Sequence, residues 1–92
     1  MYVVICYDIE DDRQRNRISR VLLDAGLQRV QKSVFEGEII PQKFSSLRKK
    51  MSKLPGNSDS VRFYTLCPEC AGKTIVHGMD LTPSREKAVR IV

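Results

Sequence analysis

Asp8 is the residue best placed to do chemistry. It is the lone acid in the otherwise apolar run Tyr2 to Ile9. A carboxylate at that point costs desolvation unless a cation neutralises it or it lies at the mouth of a cleft. Mg²⁺ commonly takes one or two carboxylates and completes its shell with waters and phosphate oxygens. Asp8 therefore reads either as a Mg²⁺ ligand or as a capping acid at a strand-to-helix turn. A two-fold axis beside it would bring a second Asp8 from another copy. Glu10, Asp11 and Asp12 follow closely and suit the positive start of a helix. Histidine chemistry is restricted, because His77 is the only one. A single chain cannot assemble a two-histidine acid/base pair, which removes one metal-free route to RNA cleavage unless two chains share a site.

Cations come next. Arg13, Arg17 and Arg20 recur on one helical stripe, and Lys43, Arg48, Lys49, Lys50 and Lys53 share the polar face of a second helix. Sixteen Lys+Arg against eleven Asp+Glu give a net charge of +5 and a pI near 9.4. Such stripes are either solvated faces or phosphate-binding surfaces. Aromatics are sparse, at 7%, and no exposed Phe or Tyr pattern suited to base stacking is present, so phosphate contact is the expected binding mode. Arg13, Arg17, Arg20, Lys49 and Lys50 are its candidate residues.

Cys67-Pro-Glu-Cys70 supplies half of a zinc-site signature, with His77 as at best a third ligand where four are needed. Redox use would call for a C-x₂-C opening a helix after a strand. Here the expectation is a turn between two short strands, carrying two unligated thiols. Cys6 lies in an apolar strand and reads as packing. An odd count of three cysteines argues against a disulfide framework and suits a reducing compartment.

These residues need a scaffold. Tyr2 to Ile9 reads as a strand buried on both faces. Asp11 and Asp12 open a helix to about Ala25, with Ile18, Val21, Leu22 and Ala25 as its apolar stripe and Gly26 as its stop. Leu27 to Ile40 must hold two strands with a turn near residues 31–33. Pro41 starts a second helix whose stripe is Phe44, Leu47, Met51 and Leu54, ended by Pro55-Gly56-Asn57. Ser60 to Cys67 and a short Lys73 to His77 are further strands. The order β-α-β-β-α-β plus a small extra strand implies an α+β fold, a ferredoxin-like sandwich with both helices on one face of an antiparallel sheet.

Ninety-two residues suffice for one domain, 1–92, with a thin core that a partner would extend. Residues 78–92 form a tail that could cross to that partner. No apolar run reaches the ~20 residues of a membrane span. The start at Met1-Tyr2-Val3-Val4 reads as a strand and not as a signal peptide, so the cytoplasm is the expected location. A third class, small-molecule sensing, finds no phosphate-cradling Gly-rich loop.

The motif Tyr7-Asp8-Ile9, the acid at Asp11, the Arg-rich helix from Arg13 to Arg20, Gly26, and the run Arg29-Val30-Gln31-Lys32-Ser33-Val34-Phe35-Glu36 resemble the small CRISPR-associated Cas2 proteins. The resemblance extends from Tyr2 to about Phe63 and thins past Cys67. It implies a ferredoxin-like homodimer in which each C-terminal strand completes the partner's sheet. It also implies a Mg²⁺-dependent endonuclease, with Mn²⁺ as a substitute, acting on RNA or double-stranded DNA. The alternative it carries is a non-catalytic nucleic-acid scaffold for the Cas1 integrase during spacer acquisition. By the same resemblance Asp8 is the metal-binding and catalytic acid, one from each chain, while Arg17, Tyr7, Asp11, Ser33 and Phe35 lie near the cleft.

Overall fold

A computed structural model of the chain describes residues 1–81. The elements are β1 (Tyr2–Asp8), α1 (Asp12–Asp24), β2 (Gln28–Gln31), β3 (Val34–Glu38), α2 (Pro41–Met51), β4 (Ser60–Leu66) and the short α3 (Pro68–Gly72). The sheet runs β2-β3-β1-β4 with every neighbouring pair antiparallel. This is the expected ferredoxin-like sandwich, with β1 central.

Alternation along the strands divides the sheet into two faces. Val3, Ile5, Tyr7 and Phe35 join Ile18 and Leu22 of α1 and Phe44, Leu47 and Met51 of α2 in one buried cluster. Val4 and Cys6 point the other way and are only half-buried. Burial of β1 on both faces is thus corrected: it holds at Tyr2, which shares the second face and is buried, and is lost along that face toward Asp8.

Local sequence explains most boundaries. Asp11 caps α1 by accepting from the Gln14 backbone N–H at 2.9 Å, a contact typically worth about 1 kcal/mol. Gly26 follows the helix at φ +90°, a conformation that side chains bearing a Cβ rarely adopt. Lys32 and Ser33 form the two-residue turn between Gln31 and Val34, beside a register shift between Arg29 and Gln31. The turn is held by an interaction invisible to local pattern, as Ser33 O accepts from Tyr7 N at 3.1 Å. Gly37 meets a packing constraint, since a Cβ there would lie 3.0 Å from Leu27 Cδ2.

The expected fifth strand at Lys73 to His77 is not formed. Pro68 pre-sets the first turn of α3, Cys67 caps it, and the helix redirects the chain after β4. Thr74, Ile75 and Val76 then line a groove with Val30, Val34 and Glu36 instead of running along a sheet edge. Among the described residues, 73–77 pair with neither edge strand of the sheet, β2 or β4. The expected tail crossing falls largely on 82–92, outside the described residues.

Candidate functional site

Asp8 closes β1 at the level of Ser60 on β4. Because Tyr7 belongs to the core cluster, strand alternation directs Asp8 to the opposite face, with Val4 and Cys6. It is exposed. The desolvation argument made from sequence therefore does not hold within one chain: Asp8 needs no compensating cation to be tolerated there. What sets it apart is its place, on a sheet face that no helix pair covers.

That face carries further polar groups. Arg62 lies opposite Cys6, and Tyr64 opposite Val4. Diagonal neighbours on paired strands are within reach of long side chains, so Arg62 is the cation nearest in register to Asp8. Its guanidinium donates to the Tyr64 hydroxyl at 3.0 Å, and this hydrogen bond raises the Arg62 pKa further above its ordinary value. Tyr2 donates to Glu36 Oε1 at 2.9 Å. Desolvation pushes the Cys6 thiol pKa up, against the lowering effect of Arg62. Sequence reading left Arg62 out because it sits alone in a strand; its register with β1 is the signal that finds it.

The backbone after Asp8 is braced from two sides. Arg15 donates to the carbonyls of Ile9 and Glu10 at 2.8 and 2.9 Å and pairs with Asp12. Asp59 accepts from the backbone N–H groups of Glu10 at 3.0 Å and Gly56 at 2.7 Å. Those two bonds hold the Asp59 pKa below the usual carboxylate value. Arg15 and Asp59 were also missed, because their work is done through backbone atoms and leaves no residue-type pattern.

Of the remaining candidates, Arg13, Arg17 and Arg20 come together as expected and line one shallow depression with Asn16. Lys49 and Lys50 are exposed on α2, and Lys43 and Lys50 border the groove between α2 and the Val21–Ala25 end of α1. These basic groups lie on the helical layer, whereas Asp8 faces away from it. Tyr7 and Phe35 are core residues, 6% and 0% exposed, with ring centroids 6.2 Å apart; they support the end of β1 from its buried side. The Tyr7 hydroxyl meets Ser19 Oγ at 3.1 Å, and Arg29 donates to the same Oγ at 2.6 Å while covering the Phe35 ring. Ser33 acts through its carbonyl and Asp11 through its cap.

Among the described residues no group of three or more His, Cys, Asp or Glu could hold a metal ion. Asp8 nonetheless fits a hard divalent cation that draws its other ligands from water, phosphate or a second copy. No helix among the described residues is long and apolar enough to cross a membrane.

The family model described as CRISPR associated protein Cas2 matches residues 1–74. A protein of Chloroflexus aurantiacus named CRISPR-associated endoribonuclease Cas2 3 is 40% identical over 84 residues, covering 89% of this chain and 88% of the relative. The solved structure of a hypothetical protein from Thermus thermophilus superposes with a TM-score of 0.76 at 30% identity, covering 89% of this chain and 95% of that one. A chain from a partial Cas6-RT-Cas1–Cas2 complex aligns with a TM-score of 0.52 at 28% identity, covering 87% and 89%. With its ferredoxin-like sheet, its Asp8-bearing open face and a family match over most of its length, this chain belongs to the Cas2 family of CRISPR-associated proteins.

Proposed function

We propose that the protein is a homodimeric, Mg²⁺-dependent endonuclease of CRISPR adaptation, cleaving phosphodiester bonds, with RNA as the first substrate to test. The observation that carries this reading is Asp8, an exposed carboxylate at the end of a sheet face left open by both long helices. The name of the Chloroflexus relative, an endoribonuclease, supports the reaction class and RNA.

The open face supports the dimer. Tyr64, Ile75, Met79 and Leu81 are exposed large hydrophobics, and Ile75, Met79 and Leu81 all line the groove over β2 and β3. A second copy would bury them and bring its own Asp8 toward the first. Two carboxylates facing each other repel, and a divalent cation relieves that repulsion. When bound there, Mg²⁺ or Mn²⁺ would supply Lewis-acid polarisation of a phosphodiester and of the attacking water. The chain's part is to hold the carboxylates and to position the nucleic acid. Arg15 and Asp59 fix the backbone just after Asp8, Arg62 offers a cation on its face, and the Arg13/Arg17/Arg20 stripe offers phosphate contacts on the outer surface.

A non-catalytic scaffold partnered by Cas1 is the second reading, favoured by the likeness to a chain of a Cas1–Cas2 assembly. One assay separates the two. RNA and duplex DNA are incubated with wild type and Asp8→Asn, with Mg²⁺ and with chelator. Cleavage that needs Mg²⁺ and disappears in Asp8→Asn is expected. Unchanged cleavage by Asp8→Asn refutes the catalytic assignment, while no cleavage by wild type favours the scaffold.

A further inference from the structure

Cys67 and Cys70 play no part in the site above. Sequence reading set them in a plain turn, but they occupy the cap and third position of α3, directly after β4. Both are free and exposed. The Cys70 backbone N–H donates to Cys67 Sγ at 3.4 Å. That backbone donor favours negative charge on Cys67, and the C-x₂-C spacing places the second thiol one turn of α3 away.

We propose that Cys67 and Cys70 form a thiol–disulfide exchange site, which reduces small disulfides of the glutathione class as it closes an intrachain Cys67–Cys70 bond. Cys67 is the attacking sulfur. Hydrogen bonds from Cys70 hold its pKa below the ordinary thiol value, and the same contact holds that of Cys70 above it. In the first step the Cys67 thiolate attacks one sulfur of R–S–S–R. That S–S bond breaks, a mixed disulfide forms, and R–S⁻ leaves to take up a proton. In the second step Cys70 gives its proton to solvent and attacks Cys67 Sγ, expelling the second R–S⁻. The chain loses two electrons and two protons, and one R–S–S–R becomes two R–SH.

The third cysteine is an internal comparator. Cys6 lies half-buried in β1, and desolvation raises its pKa, so it is expected to stay a thiol. Closure acts on the segment that leaves β4: α3 packs against that strand, its Ala71 is 5% exposed, and the groove-lining Thr74 follows. A bond across the first turn of α3 ties down the start of that crossing. The site is independent of the Asp8 chemistry.

The test is the full-length protein equilibrated with mixtures of reduced and oxidised glutathione, then alkylated and mapped by mass spectrometry. The expected product is an intrachain Cys67–Cys70 disulfide with Cys6 still alkylated. In Cys70→Ser a stable glutathione adduct is expected on Cys67, formed several-fold faster than the adduct on Cys70 in Cys67→Ser. Interchain bonds, a mixed disulfide that persists in wild type, or equal rates in the two single variants each overturn the proposal. So does a pair that remains reduced in oxidised glutathione. Circular dichroism of each serine variant confirms that the fold is retained, so a null result cannot be assigned to unfolding.

Discussion

On the side of the sheet that meets α1 and α2, Val3, Ile5 and Phe35 are completely buried. On the other side Tyr2 is buried at the start of β1, Val4 and Cys6 are half-buried, and Asp8, Arg62 and Tyr64 are exposed. Both sides belong to the same strands. The first is sealed inside one chain with no buried polar or charged residue among the described residues. The second pairs apolar exposure with charge, the combination found where a surface is covered only in a complex. The contrast separates residues that make the fold from residues that use it: burial fixes the first set, and the second keeps a polarity that the fold does not require.

The contrast is sharpest when one residue is removed from each side. Phe35→Ala, from the sealed side, is expected to cost about 3–5 kcal/mol, a large fraction of the 5–15 kcal/mol typical of a whole domain. Asp8→Asn, from the open side, is expected to stay within about 0.5 kcal/mol of wild type. Urea unfolding of both variants checks the pair. Similar costs at the two positions would erase the distinction.

Salt dependence probes the outer surface. If a dimer neutralises ~4–6 phosphates, log affinity for duplex DNA against log salt should slope at about −3.5 to −5.5. Arg17→Ala should flatten that slope by about 1 for each chain whose Arg17 meets a phosphate. Asp8→Asn should leave much of the binding in place, because the arginine stripe lies on the helical layer. Titrations by fluorescence anisotropy at several salt concentrations measure both, and a flat dependence removes the electrostatic basis of binding.

The smallest effect concerns Asp59. Its pKa is lowered in the folded chain by the Glu10 and Gly56 backbone bonds. The stabilisation it provides is therefore present above the unfolded carboxylate value, about 3.9 for Asp, and is lost as pH falls through the lower folded value. Wild type should melt slightly above Asp59→Asn at neutral pH, and the difference should vanish in strong acid. Thermal melts across that range detect it. A gap that widens in acid contradicts the assigned hydrogen bonds.

The sealed side was legible in the sequence because period and punctuation are local signals. Ile18 and Leu22, or Phe44, Leu47 and Met51, announce their helix faces, and Gly26 and Pro41 mark boundaries. The two-residue turn at Lys32 and Ser33 was placed only approximately, since neither residue carries a turn preference strong enough to locate it. Tyr7, from another strand, supplies the hydrogen bond that holds it. The fifth strand failed for a related reason: the β-branched run Thr74-Ile75-Val76 shows a willingness to pair, but α3 redirects the chain after β4, and that run lines a groove instead. Asp8 stood out as an acid in an apolar run, although its exposure shows that its cost is not what marks it. Arg15, Arg62 and Asp59 were illegible because register and backbone contacts, not residue spacing, give them their positions.

Metal stoichiometry tests the completion of the open face by a second copy most directly. Isothermal titration of the purified protein with Mn²⁺, alongside its mass by sedimentation, should give one cation per two chains. Binding should be lost in Asp8→Asn while the dimer persists. A monomer by sedimentation, or one cation bound per chain and retained by Asp8→Asn, would contradict a site built from two facing carboxylates.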